Sequence, residues 1–302
     1  METKKEYRKI IFLLIIIFAL SAIYAGTFIF DTHNISRNSA YVWLDRKFLA
    51  YIDRIEIYGP AGVINLQKKN NVWVMPGIGP DNQPTDYPVK QIRVEDLLAE
   101  LSKPGNYPVR SSSAALQDVY GLGENSSRIT VRGGAGPPLL DLLVGNIDLT
   151  GQIFLRKAGQ AEIRSGNDRF TMYTDNERSF WYDLRIFPDL NQDMIQRIHF
   201  SDNEKIITLT RNRNYWINES NQALFTNAES LVRYIIEAQA EDFIFTNNWE
   251  ICKSIILELG DGSTRILNIG PPDYYGSCPA AITGSKIVFS LAEWTIKRIF
   301  PD

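Results

Sequence analysis

Few side chains in this chain have the type and spacing that bond-making chemistry requires. Histidine, the residue that most often serves as a general base or metal ligand, occurs twice, as His33 and His199. Neither stands at ligand spacing from cysteines or carboxylates, so the sequence predicts no metal site and no histidine base. Asp141, Asp183 and Asp189 are the carboxylates that glycoside cleavage would need as an opposed pair. Asp189 recurs as Asp302 in the same four-residue context, which marks it as a turn or cap residue. Gly133, Gly134 and Gly136 form a glycine cluster, but Pro137 and Pro138 follow where a phosphate loop needs Gly-Lys-Ser/Thr and a helix. A flexible hairpin loop is the expectation there. Neither a Gly-x-Ser-x-Gly elbow nor Ser-x-x-Lys occurs, so nucleophilic catalysis lacks its usual setting. The reading is a protein without catalytic residues, cofactor or metal.

Cys252 and Cys278 are the only thiols. In an oxidising compartment two cysteines can pair, yet two are not a disulfide framework, so a bridge and free thiols both stay open. Tyr120-Gly121-Leu122 and Tyr274-Tyr275-Gly276 set aromatics beside glycine, a composition suited to lining a groove. For most of the aromatic residues, which fall at strand or helix positions, core packing is the expectation.

A net charge of −3, spread without long runs, disfavours nucleic acid as a partner, because phosphate neutralisation needs a concentrated basic face. Residues 10–30 are apolar and uncharged. At about 1.5 Å per residue such a run crosses a roughly 30 Å hydrocarbon layer. Lys4, Lys5, Arg8 and Lys9 precede it and only Arg37 follows within fifteen residues, which predicts a cytoplasmic N-terminus and an extracytoplasmic bulk, as in a single-pass inner-membrane protein. The rival is a cleaved signal peptide ending near Ala22 or Ala25, against which stands the length of the run and its continuation through Phe28, Ile29 and Phe30.

The elements that would position any site are written twice. Ile186-Phe187-Pro188-Asp189 recurs as Ile299-Phe300-Pro301-Asp302. Ile52, Arg54, Ile55, Leu66, Asn71 and Trp73 have identical counterparts 143 residues on (195 − 52, 216 − 73) at Ile195, Arg197, Ile198, Leu209, Asn214 and Trp216. Repetition at a fixed offset implies that one packing solution is used twice. The predicted organisation is a cytoplasmic segment 1–9, a membrane helix 10–30, a stalk and lead-in 31–50, and two α+β repeats, 51–190 and 191–302.

In each repeat, period-two apolar spacing around an Asn-containing turn predicts a hairpin whose return strand carries Trp73 or Trp216 as a core anchor. Helices are expected at 94–101 and 228–238, each with one apolar face at i, i+3, i+4 and i+7. Strands follow at 128–132, 139–144, 152–156 and 169–173, mirrored at 254–259, 264–269, 278–282 and 286–289. Aromatic helical pieces at 180–187 and 294–300 close the repeats, stopped by Pro188 and Pro301, with Phe187 and Phe300 as anchors. The expected fold is therefore α+β, two tandem units, each a mainly antiparallel sheet with one packed helix and a closing aromatic helix.

The N-terminal anchor, the Ile-x-Ile strand, the tryptophan on the return strand, Tyr120-Gly121-Leu122, Val144-Gly145 and the strand at 151–156 together resemble the bacterial domain-of-unknown-function family DUF4340, over roughly residues 45–300. The chain departs from that pattern at Gly123-Glu124, where an acid followed shortly by proline is more usual. The resemblance implies a membrane-anchored envelope protein associated with transporters of the kind found in gliding-motility export, and it brings no catalytic residues. The expected function is a non-enzymatic scaffold or accessory subunit of an ABC-type export complex. The alternative is an extracytoplasmic protein binding a cell-wall sugar or peptide in a cleft between the repeats, and an envelope hydrolase is the third reading.

Overall fold

A computed structural model describes residues 16–21, 41–202, 205–213, 215–245 and 248–301. His33, the stalk 31–40, Asp302 and all of the apolar run except the helical residues 16–21 lie outside the described residues. Among the described residues no helix is long and apolar enough to cross a membrane.

The first sheet is built from β1 (Arg54–Gly59), β2 (Gly62–Lys69), β3 (Val72–Ile78), β4 (Pro84–Pro88) and β5 (Val109–Ser111), then β6 (Ser127–Arg132), β7 (Leu140–Ile147), β8 (Gln152–Lys157) and β9 (Ile163–Asn167). Its strand order is β4-β3-β2-β1-β6-β7-β8-β9-β5. The second sheet begins with β10 (Ile195–Asp202), β11 (Lys205–Asn212), β12 (Tyr215–Asn218), β13 (Ala223–Leu224) and β14 (Asp242–Ile244). It is completed by β15 (Lys253–Leu259), β16 (Thr264–Ile269), β17 (Ser277–Ile282) and β18 (Val288–Ala292). Its order, β13-β12-β11-β10-β15-β16-β17-β18-β14, repeats that of the first strand for strand. Two nine-stranded antiparallel sheets with helices between strands make this an α+β fold, consistent with tandem units.

Alternation explains the strands. Ile55 and Ile57 in β1 and Ile198 and Phe200 in β10 are buried while their neighbours reach solvent; in β6 Ile129 and Val131 are buried, and so is Thr130 between them. Helix α1 (Gln91–Ser102) buries Val94, Leu97 and Leu101, close to the expected face. Two four-residue helices follow, α2 (Thr171–Thr174) and α3 (Arg178–Trp181). Helix α4 (Ala228–Ile236) buries Ala228, Leu231, Val232 and Ile235, and α5 (Glu293–Ile299) closes the second copy.

Two expectations are corrected. Residues 169–173 are not a strand: the Asn167 side chain accepts the Arg169 N–H and starts a 3-10 turn that runs into α2. The strand lies just before, at β9, whose Ile163, Arg164, Ser165 and Gly166 are all buried, so no alternation marked it. The closing piece at 180–187 is helical only through Trp181. Beyond it Lys90 N–H donates to the Trp181 carbonyl, Asp183 N–H donates to the Pro88 carbonyl, and the Asp183 carboxylate takes the Arg185 backbone, which competes with further helix.

Two compact units result: one is the described chain up to Ile64 with Glu95–Asn176, the other is Asn65–Val94 with Glu177 onward. The hairpin β3–β4 thus groups with the second sequence copy.

Candidate functional site

The second unit contains a cleft of about 470 Å³ lined by Met75, Asn82, Tyr87, Arg178, Tyr182 and Phe245 among others. Met75 to Tyr87 come from β3–β4, Arg178 and Tyr182 from the close of the first copy, and Phe245 from the end of β14 in the second. Strand alternation brings the rings together: Tyr87 faces inward from β4 and Phe243 from β14. Their centroids are 5.0 Å apart, Tyr182 stands 4.7 Å from Phe243, and Phe245 stands 5.7 Å from Tyr87. The Tyr87 hydroxyl donates to the Ile78 carbonyl at 2.9 Å. Burial raises the pKa of Tyr87 and of Tyr182, the latter opposed by Arg178, so both phenols remain donors at neutral pH. Tyr87, Tyr182 and Phe243 are buried against one another and only the Phe245 ring is exposed, so the cleft offers one aromatic face, with an exposed guanidinium and an amide at its rim, on which a sugar or proline-like ring can stack.

The two cysteines are free thiols lining one cavity of about 300 Å³, together with Asp202, Lys253, Ile269 and Phe300. Cys278 is buried on β17, and burial, with Cys252 beside it, pushes its pKa up to about 11. Such a thiol is a packing residue, not a nucleophile. Cys252 Sγ lies 3.4 Å from the Ile269 carbonyl.

His199 touches Thr208 at 3.0 Å through Nδ1 and Glu258 at 2.9 Å through Nε2. A hydroxyl, an imidazole and a carboxylate in line resemble a hydrolase relay, but all three sit on paired strands, Thr208 on β11 directly opposite His199 on β10 and Glu258 on the neighbouring β15. Arg197, which also pairs with Glu258 and Glu219, completes a network of cross-strand partners, the ordinary dressing of a sheet's outer face.

The aspartates divide. Asp141 pairs with Arg128, Asp189 with Arg265, and Asp183 with Arg185. Burial raises the Asp183 pKa, but its hydrogen bonds from Arg185 outweigh that and hold it below the usual carboxylate range. Each therefore has its own cation. Gly133 to Gly136 form the loop between β6 and β7, where Gly134 N–H donates to Asp53 at 2.9 Å.

The repeat anchors are buried at Trp73, Trp216 and Phe187, whereas Phe300 and Pro301 are half-buried and wall the thiol cavity. Pro188 is exposed in the closing turn. Trp216 Nε1 donates to Glu229 at 3.0 Å, and the Gln91 side chain brackets the Trp73 backbone, accepting from its N–H and donating to its carbonyl. Val144-Gly145 has a physical reason: a Cβ on Gly145 would meet the Tyr120 carbonyl at 2.3 Å, and one on Gly270 would meet Pro279 at 2.7 Å. The aromatic cleft itself was not read from the sequence. Its residues are far apart in the chain, and β4 and β14, which carry Tyr87 and Phe243, are too short to establish a period.

A second shared feature is a turn. Asp148 accepts the N–H groups of Thr150 and Gln152, and Asp273 accepts those of Tyr275 and Ser277. Gly151 and Gly276 follow at φ of 78° and 79°. The tips carry Leu149, Tyr274 and Tyr275, each almost wholly exposed, the two tyrosines edge-to-face at 5.2 Å.

No curated protein and no solved structure matches the chain. A family model described as "Domain of unknown function (DUF4340)" matches residues 82–251, from the β3–β4 loop to just before β15. That span covers more than half of the 302 residues, and the chain belongs to this family.

Proposed function

We propose that the protein is a non-enzymatic, membrane-anchored envelope protein that works by presenting a surface to a protein partner. The observation that carries the reading is the pair of Asp-fixed turns, found at the same hairpin of each copy. Both hold large apolar side chains out in solvent on a backbone already pinned by the aspartate. Burying such a side chain against another protein gains about 1.5–3 kcal/mol, and a rigid turn loses little entropy in doing so. The partner class we propose is an ABC-type export complex, the association that the family resemblance implies. The test is crosslinking in intact cells followed by affinity purification of the full chain, beside Leu149→Ser and a Tyr274→Ser, Tyr275→Ser variant. Recovery of transporter subunits that falls in the variants supports the reading; equal recovery from all three, or none from any, counts against it.

A second reading, small-ligand binding, is favoured by the aromatic cleft. A saturable thermal shift with cell-wall sugars or peptides, lost in Phe245→Ala and Arg178→Ala, is its expected signature.

A further inference from the structure

Where the described stretch 41–202 begins, a groove of about 610 Å³ opens in the first unit, lined by Trp43, Arg46, Phe48, Pro104, Leu139 and Lys157 among others. Its wall is fixed by the incoming chain. Tyr41 exchanges backbone hydrogen bonds with Gly105, Leu44 N–H donates to Leu101, and the Asp45 side chain caps a 3-10 helix at Arg46–Tyr51. The Tyr41 ring lies under the Arg164 guanidinium at 3.9 Å and stands 4.9 Å from Trp43.

The floor is apolar and the rim is cationic. Among the described residues Asp45 is the one acid lining it, and Lys47 pairs with Asp45 at 2.8 Å. Among the described residues Arg46 and Lys103 have no carboxylate partner, and the charged neighbour of Lys157 is another cation, Arg164. Tyr51 is exposed at the end of the helix, and Phe48 is half-buried beside Arg46. Aromatic rings interleaved with unpaired basic side chains suit the headgroup layer of a membrane.

Position selects the occupant. Ten residues (40 − 31 + 1) separate the apolar run from Tyr41. Even fully extended at about 3.6 Å each they span no more than about 36 Å, so the groove is held near the lipid surface. We infer that the groove between the 3-10 helix and the strand ends at Leu139 and Lys157 binds the phosphodiester headgroup of an anionic phospholipid, with the lining Arg46 and Lys157 as its cations, the exposed Lys103 between the lining residues Ser102 and Pro104 as a third beside it, and Phe48 and Tyr51 against the lipid surface. This rests on the anchored-envelope reading above.

The experiment reconstitutes the full chain in nanodiscs of phosphatidylcholine alone or mixed with phosphatidylglycerol. Native mass spectrometry counts the lipids that stay bound, and amide exchange is followed over residues 46–51. Phosphatidylglycerol should be retained in preference and should slow exchange in those residues. Arg46→Glu and Lys103→Glu, both at exposed positions, should each lower that preference about fivefold. No preference, or a preference unchanged in both variants, overturns the groove while leaving the anchor standing. Protection given equally by inorganic phosphate in detergent reassigns the site to a soluble anion and also overturns it. Release of the full chain from native membranes by alkaline carbonate removes the tether, and the anchor and groove then fall together.

Discussion

The two sequence copies make the same strand ladder from different surfaces. On the outer face of the first, Glu56 in β1 reaches Arg132 in β6 at 3.6 Å. At the matching register in the second, His199 in β10 reaches Glu258 in β15 at 2.9 Å, so acid and base have changed strands. Inside, no such liberty is taken: Ile55 and Ile57 answer Ile198 and Phe200, and Ile129 and Val131 answer Ile255 and Leu257, all buried. The fold is held by apolar period-two positions and backbone pairing, while the charges are replaceable dressing. Differences that alter burial are therefore where the copies diverge in role, as with Phe187, buried, and Phe300, which lines a cavity.

The strongest test removes the shared core anchor. Trp73→Ala and Trp216→Ala should each cost about 3–5 kcal/mol in chemical denaturation. Because residues 65–94 group with the chain from Glu177 onward, both variants should lower the same unfolding transition. If Trp73→Ala lowered a transition that Trp216→Ala left alone, the division into these two units would be wrong. Trp216→Phe should cost about 1 kcal/mol more than Trp73→Phe, since it also gives up the bond to Glu229.

How far the sequence could be read follows the same line. Hairpins and helix faces were legible because their apolar residues recur at fixed periods, whereas the Tyr120 carbonyl that demands glycine at Gly145 is shown only by the fold, in which β7 runs past that step to Ile147. Strands of two to five residues at the sheet edges, β4, β5, β13 and β14, escaped notice since so few positions establish no period. β9 escaped because Arg164 and Ser165 are buried polar residues, satisfied by the adjacent Glu162 and by Tyr107 and Gln152 from elsewhere in the chain. The cleft escaped because Tyr87, Tyr182 and Phe245 meet only through the fold.

A chemical contrast between the copies comes next in size. Cys278 on β17 stands where β8 has Ile153, each the first inward residue after its Asp-fixed turn. With the Cys278 pKa at about 11, maleimide or iodoacetamide at neutral pH should label Cys252 in the folded protein and reach Cys278 only on unfolding. Labelling of Cys278 in the folded state at a rate near that of Cys252 would show a reactive thiol, and the claim that it simply replaces isoleucine would fail.

The turns offer a smaller and more symmetrical comparison. Asp148→Ala should speed amide exchange at Thr150 and Gln152, and Asp273→Ala should do the same at Tyr275 and Ser277, to similar extents. The Asp148 carboxyl is held below its usual pKa, first by the Thr150 hydroxyl and then by the Gln152 amide. A lowered folded-state value means that the contribution is present above the unfolded pKa and fades as pH falls through the folded one. Protection of these amides in the unmodified protein should therefore persist at neutral pH and fade only in acid. A change confined to one copy would mean that the second turn is fixed by something other than its aspartate.

The smallest expected effect is the most direct test of interchangeable charges. Replacing His199 and Glu258 together, as His199→Glu with Glu258→Arg, writes the first copy's pair into the second. Exposed pairs contribute about 0–1 kcal/mol, so the double variant should stay within about 0.5 kcal/mol of the parent. Glu258→Gln adds a pH axis. The His199 hydrogen bond lowers the Glu258 pKa, burial opposes it weakly, and Arg197 adds to the lowering. A depressed carboxylate stabilises the folded state above its unfolded pKa, near 4.3 for glutamate, and loses that contribution as pH falls through the folded value. Unmodified protein should therefore be slightly more stable than Glu258→Gln at neutral pH, and the two should converge in acid. A gap that widened on acidification would reverse the sign of this linkage, and a swap costing several kcal/mol would show that the outer-face charges of the second copy are part of its fold after all.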